Sequence, residues 1–387
     1  MQKVSKFLPV SVPGADEETI EEVVNVLKSG WLATGPLTRR FEEDLSKYFE
    51  GRTAMCFTSA TVGLQAALSA IGIKAGDEVI TTSFTFAATA NVIAASGARP
   101  VFVDTDENTF NIDPNGIAAA CTSKTKAIMP VHYAGLPVDL DPIYEIAKQK
   151  NLRVIEDAAH AFGAVYKNRK IGTFGDIQVF SFHPIKNMTS GEGGCVVSDS
   201  EAEQKTMSLL RFHGIDRSIW DRFSKNGNSS YDVVYPGLKS NMSDIQSAIG
   251  IHQLQKVEAF NEERRRLAAR YRRAFAELEE DLFLQGIPDY DFVHSGHLFP
   301  VCLRDASGRD DFLDYLKENS VGAVPYYTPL HLFTYYRETF GYKKGDFPKA
   351  EYIGARVACL PLYCGLKDEE QDYVIHIVGQ FFDKRRR

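Results

Sequence analysis

The 387-residue sequence contains no apolar run approaching the roughly 20 residues that a membrane-spanning helix needs, so a spanning protein is not expected. Its first residues, MQKVSKFLPVSVPGADEE, lack the continuous apolar core of a signal peptide, and the expected location is the cytoplasm. It also lacks an excess of basic charge. The net charge is −7, which argues against general nucleic-acid binding, and the basic tail DKRRR reads as a solvated terminus. The six cysteines (Cys56, Cys121, Cys195, Cys302, Cys359 and Cys364) have no paired metal-ligand spacing, and most lie in apolar contexts such as GGCVVSD. They read as small buried residues of a reduced protein, and neither a metal site nor a disulfide framework is expected. Internal repeats and low-complexity tracts are absent.

What remains is an ordinary globular composition, 44% apolar and 25% charged, in a chain long enough for two domains. Short β-rich runs recur at 77–83, 99–105, 126–133, 152–158, 177–182 and 194–199, with amphipathic segments such as TVGLQAALSAIG between several of them. This alternation predicts an α/β domain whose mostly parallel sheet is covered by helices. The stretch SDIQSAIGIHQLQKVEAFNEERRRLAARYRRAFAEL reads as a long helix, either whole or with a break, after which the texture changes to a smaller α+β unit. The domains are accordingly placed at 1–255 and 256–387.

Ligands of parallel α/β sheets collect at the carboxyl ends of the strands, where polar residues are not needed for packing. Three stretches place them there. TSATVGLQAAL, from Thr58 to Leu68, sets small and hydroxyl residues before a helical pattern, which suits either an ordinary N-cap or a phosphate at a helix N-terminus. In VIEDAAHAFGA, Asp157 ends a buried strand and His160 follows, so the carboxylate needs a cation or several donors. In SFHPIKNMTSGEGG, Lys186 follows an apolar strand and precedes a glycine-rich loop. A desolvated lysine amine can attack a carbonyl; one isolated lysine could equally snorkel to water. Taken in order, an anion-binding helix start, a strand-end aspartate and a later strand-end lysine are the parts that hold pyridoxal phosphate by its phosphate, ring nitrogen and aldehyde. Phe86, in SFTFAATANV, could stack on the ring or simply join the core.

With these residues in view the sequence resembles the DegT-type sugar aminotransferases, through SGWLATGP, TSATVGLQAAL, GDEVITTSFTFAATAN, PVHYAGLPVDLD, IEDAAHAFGA, SFHPIKNMTSGEGG, RFHGI and YYTPLHLFTYYRE. The resemblance implies the fold type I (aspartate aminotransferase-like) architecture, a seven-stranded mostly parallel sheet with a small carboxy-terminal α+β domain. It implies a Schiff base between pyridoxal phosphate and Lys186, which would also move the proton, with Asp157 on the pyridinium nitrogen and His160 near the phenolic oxygen. Phe86 would flank the ring, and Ser181 with the backbone at Thr61 and Val62 would hold the phosphate. Lys239 and Asn241, in GLKSNMSD, would enter the neighbouring site of a homodimer, and Trp31, His132, Tyr133, Arg222 and His331 are the implied substrate contacts.

Within the family the likeness is greatest to enzymes that aminate the 4-keto position of UDP sugars, including the branch that forms UDP-4-amino-4-deoxy-arabinose for lipid A. Two segments depart from the common patterns. Many family members read G-x-N-x-R where this chain has Lys239 and Asn241, a change the arabinose-type relatives share, and VPYYTPLH looks closer to general 4-amino-sugar enzymes than to the arabinose one. The implied reaction moves the amino group of glutamate to a UDP-linked 4-keto-pentose or 4-keto-6-deoxy-hexosamine, releasing 2-oxoglutarate. A dehydrase of the same fold would carry histidine in place of Lys186, and a non-catalytic regulatory relative would not need the Asp157, His160, Ser181 and Lys186 set. An amino-acid aminotransferase is a further reading of the same cofactor machinery.

Overall fold

The computed structural model describes residues 6–216 and 230–386. Helices α1 (Glu17–Ser29) and α2 (Pro36–Tyr48) precede strand β1 (Thr53–Phe57) and helix α3 (Ala60–Ala70). The chain then alternates through β2 (Glu78–Thr82), α4 (Ala87–Ala95), β3 (Arg99–Val103), α5 (Pro114–Ala120), β4 (Thr125–Met129), α6 (Leu140–Lys150) and β5 (Arg153–Asp157). Two short strands, β6 (Val165–Tyr166) and β7 (Arg169–Lys170), lead to β8 (Ile177–Ser181), β9 (Gly194–Ser198) and α7 (Glu201–Leu210).

Seven of these strands form one sheet in the order β1-β9-β8-β5-β4-β2-β3. Strand β9 runs antiparallel to both neighbours and the other pairings are parallel. All six runs expected from sequence are strands. The seventh, β1, went unrecognised because TAMCF is short and only a four-residue turn, Phe49 to Arg52, separates it from α2. It is an edge strand whose outer side is closed by side chains. The Cys56 N–H donates to Glu42 (2.8 Å), the Arg211 guanidinium donates to the Cys56 carbonyl (3.2 Å), and Glu42 and Arg211 pair with each other. Such a cap removes the exposed row of backbone groups on which another strand could add.

Residues 244–275 form one continuous helix, Asp244–Phe275, opened by a capping box between Ser243 and Gln246. At 32 residues it runs about 48 Å. It carries Val257 in the core around the large sheet and Leu267, Tyr271 and Phe275 in a second core. The boundary expected at 255 therefore falls inside an unbroken helix, since one amphipathic rod serves both cores and the change of texture came from its charged outer face. The second core covers a three-stranded antiparallel sheet, β10 (Leu282–Leu284), β12 (Phe299–Leu303) and β13 (Val357–Leu360), while β11 (Phe292–Val293) pairs with β6. Leu8 lies in this second core and its backbone pairs with Ser320 and Gly322, so the amino-terminal segment packs with the carboxy-terminal unit.

The first residue of the long helix also caps α2. Glycine at position 35 gives α2 no side-chain cap of its own. Instead the buried Asp244 carboxylate accepts hydrogen bonds from the Gly35, Leu37 and Thr38 amides and from the Thr38 hydroxyl. A carboxylate there satisfies the orphan N–H groups and complements the helix dipole. Removing it leaves buried donors unmet. We expect Asp244→Ala to destabilise the protein by about 3 kcal/mol, read as a shift in the urea unfolding midpoint at unchanged slope.

Candidate active site

Lys186, Asp157, His160, Phe86, Ser181 and Thr61 line a single cavity of about 310 Å³ at the carboxyl ends of β5 and β8. The sequence separates these side chains by as much as half the large domain, and the parallel strand order brings them together. Asp157 is the last residue of β5, and alternation along that strand turns it to the face opposite Glu156. It is buried, with one oxygen accepting from the Thr89 hydroxyl (2.8 Å) and the other from the Ala159 amide (3.2 Å). Burial raises its pKa, partly offset by those two hydrogen bonds and by Lys186.

The Lys186 ammonium is also enclosed, and burial lowers its pKa from 10.5 to about 8 against the opposing pull of Asp157. Among the described residues Nζ has no hydrogen-bond or ion-pair partner. Such a group is a nucleophile near neutral pH, because a substantial fraction is already the free amine.

His160 is held on several sides. Its Nδ1 accepts from the Ala134 amide (3.3 Å), its carbonyl accepts from the Ser295 hydroxyl (2.7 Å), and its ring lies 4.3 Å from that of His297. Burial lowers its pKa well below the usual value, helped by Lys186 and His132, so the imidazole is neutral. At the far end of the cavity Ser59 caps α3, accepting from the Val62 amide (3.3 Å). A side chain at Gly194 would come within 2.5 Å of the Ala60 nitrogen, so glycine there lets β9 run hard against the start of α3. The N–H groups and hydroxyls at this helix start are donors of the kind that bind an anion.

Phe86, 59% exposed, flanks the cavity as the residue before α4. The ring is free of the core, as a flanking role requires. Val62 is a correction, because its amide already bonds Ser59 and the residue does not line the cavity. The residues that supply polar groups there instead are Ser59, Thr61 and Ser181. Ser59 was legible as the N-cap of TSATVG.

Several expected substrate contacts are corrected by burial. His132 is fully buried, receives the Val138 amide on Nδ1 and donates through Nε2 to Glu156 (3.0 Å). It belongs to a polar network with Tyr144 and Gln178 behind the sheet end. His331 is likewise fully buried, 3.0 Å from Glu351 and edge-on to Phe347. Tyr133 is buried beneath the site and donates to the Tyr326 carbonyl (2.6 Å), so it supports the wall without lining the cavity. The half-buried Trp31 indole donates to the Thr34 carbonyl (3.2 Å) and packs against Gly35, and Trp31 does not line the Lys186 cavity. Arg222 lies outside the described residues.

Lys239 and Asn241 pair with each other beside Thr34 and Phe212. Asn241 lines a separate cavity of about 690 Å³, and neither residue reaches the Lys186 cavity of its own chain. Conversely, Tyr326, Tyr327, Thr85, His183 and Glu192 complete the lining and were not singled out from sequence. The two tyrosines stand in the YYTPLH stretch, where aromatic residues ahead of a proline gave no sign of facing a strand end far away in the chain.

Residues 13–379 match the DegT/DnrJ/EryC1/StrS aminotransferase family. The chain belongs to that family. It is 41% identical to the spore coat polysaccharide biosynthesis protein SpsC of Bacillus subtilis, with 98% of each chain covered. The fold matches the putative sugar aminotransferase Spr1654 of Streptococcus pneumoniae, known in pyridoxal and pyridoxamine phosphate forms. For the pyridoxamine form the TM-score is 0.91 at 31% identity, covering 97% of this chain and 99% of that one. Helicobacter pylori PseC, an aminotransferase of pseudoaminic acid biosynthesis, gives a TM-score of 0.91 at 29% identity over 98% and 100% of the two chains. The cofactor is pyridoxal phosphate and the architecture is that of the fold type I sugar aminotransferases. The cavity fits the cofactor, since it pairs a buried amine without a partner and a buried, under-paired carboxylate with a hydroxyl-lined helix start.

The Lys186 shift has a measurable signature. Between about pH 8 and 10.5 the unfolded chain holds a proton on this lysine that the folded cofactor-free protein does not, so stability rises with pH across that window. Acylation of Lys186 in the cofactor-free protein, followed by peptide mass spectrometry, should have its midpoint near pH 8, whereas surface lysines react at about 10.4.

Proposed function

We propose that this aminotransferase transfers the amino group of L-glutamate to the 4-keto carbon of a UDP-linked sugar for a surface glycan, of which lipid A decoration is one destination. The observation that carries the transfer is Lys186, a buried amine with its pKa lowered to about 8 beside the Asp157 carboxylate in one cavity. The names of SpsC and PseC, which speak of coat polysaccharide and pseudoaminic acid, support a glycan destination. We assign the protein to the cytoplasm, where nucleotide sugars and glutamate meet, and to a homodimer in which Lys239 and Asn241 complete the partner's site.

Bound pyridoxal phosphate supplies an electron sink for the carbon that loses its proton. Lys186 holds the cofactor and then carries the proton between that carbon and the carbon receiving the amine. Asp157 keeps the ring nitrogen protonated, and the cation beside it removes the mismatch that burial of a lone carboxylate creates. Phe86 covers one side of the ring. Ser59, Thr61 and Ser181 fix the phosphate end through hydroxyl and amide donors. A dehydrase reading is disfavoured by the lysine at 186, whose amine is suited to holding the cofactor and carrying the proton.

In a single half-reaction, glutamate should convert the bound cofactor from its aldehyde to its amine form, seen in the visible spectrum. The amine form should then transfer nitrogen to 4-keto UDP sugars. Lys186→Ala should lower the glutamate half-reaction by at least about 10⁴-fold while leaving the melting temperature within a few degrees. Turnover by that variant, or failure to aminate any member of a panel of 4-keto nucleotide sugars, would overturn the assignment.

A further inference from the structure

Tyr327 is contributed to the cavity by the carboxy-terminal unit and is buried well enough that its phenol pKa is pushed far above the ordinary value, so it stays protonated. Its hydroxyl lies 3.2 Å from His160 Nε2, with the two rings nearly parallel at 16°. Which of the two groups donates follows from the other end of the imidazole. Nδ1 accepts the Ala134 N–H and therefore carries no proton, so the neutral ring must carry it on Nε2. The charged form is opposed by burial and by Lys186 and His132. His160 thus donates to the Tyr327 oxygen. That oxygen has no other hydrogen-bond partner among the described residues.

We propose that Tyr327 is a hydrogen-bond donor of the active site, its hydroxyl proton turned into the Lys186 cavity because His160 occupies its oxygen lone pair. The acceptor is an oxygen of negative or partial negative character bound beside Lys186, on the cofactor or on a substrate. His160 is then a positioning residue that acts through Tyr327, in addition to any direct contact with the cofactor. The arrangement is rigid. Tyr133 braces the backbone at Tyr326 from beneath, and Gly135 admits Ser295, whose hydroxyl holds the His160 carbonyl, in a space that a side chain would fill. A donor aimed in advance loses little orientational freedom when its acceptor arrives.

The inference rests on the cavity being the cofactor site but not on the identity of the sugar. The tautomer is tested first, by nitrogen-15 histidine NMR on the full-length protein without and with pyridoxal phosphate. His160 should be neutral with its proton on Nε2 in both; a proton on Nδ1 in the cofactor-free protein overturns the proposal. Tyr327→Phe keeps the ring and should leave the melting temperature nearly unchanged. Either its affinity for pyridoxal phosphate, by fluorescence titration, falls about 10-fold, placing the acceptor on the cofactor, or KM for glutamate in the half-reaction rises by a similar factor, placing it on the substrate. If neither moves, the proposal fails while the assignment of Lys186 stands. His160→Ala should reproduce the Tyr327→Phe effect, and His160→Gln, whose amide retains a donor, should recover most of the loss; equal losses in both variants count against positioning through the proton.

Discussion

Two opposite charges are enclosed at one end of the sheet without forming an ion pair, and the site's architecture follows from keeping them so. Asp157 and Lys186 lower each other's cost of burial through space, yet each remains short of partners. A direct contact would satisfy both and leave neither for chemistry. Their separation is maintained by backbone, since the two residues end or follow adjacent strands, β5 and β8, whose register pairs Asp157 with Val179. The surrounding residues then divide the work, with Thr89 and Ala159 steadying the carboxylate while, among the described residues, none hydrogen-bonds the amine.

The same strand serves a second purpose through its alternation. Glu156 turns to the face opposite Asp157 and binds His132, Tyr144 and Gln178, with Arg52 extending the network by donating to Gln178 and to the carbonyls of Gly172 and Phe174. This is a largely buried polar assembly in which the members satisfy one another. It fixes the strand end from behind, so the position of Asp157 is set by polar contacts on one side and apolar packing on the other. His132 therefore matters to the site through the strand it anchors.

Much of the chemistry was legible because it depends on residue type at strand ends. Lys186, Asp157 and the small residues before α3 sit where a buried strand has no use for them, and that mismatch is visible in one dimension. The sheet was nearly complete for the same reason, with only β1 hidden by its brevity. Residues whose role is decided by which way a side chain turns were not readable. His132 and His160 each stand three residues beyond a strand end, and only the course of the loops that follow sends one ring to Glu156 behind the sheet and the other into the cavity. Tyr327 arrives from the carboxy-terminal unit, and its approach depends on packing across more than half the chain. The domain boundary has no sharp position because the helix is shared by two cores, the first ending at Val257 and the second beginning at Leu267, with no compositional seam between them.

The placement of Leu8 has a consequence for synthesis on the ribosome. The large sheet is complete once residues through Ser198 have emerged, but the second core needs a residue from the first ten positions together with Leu316, Val321 and Val374. The amino-terminal strap must therefore stay unengaged while nearly the entire chain is made, and its docking is among the last acts of folding. The carboxy-terminal unit also supplies Tyr327, so the cavity acquires this wall only after the large sheet has been made.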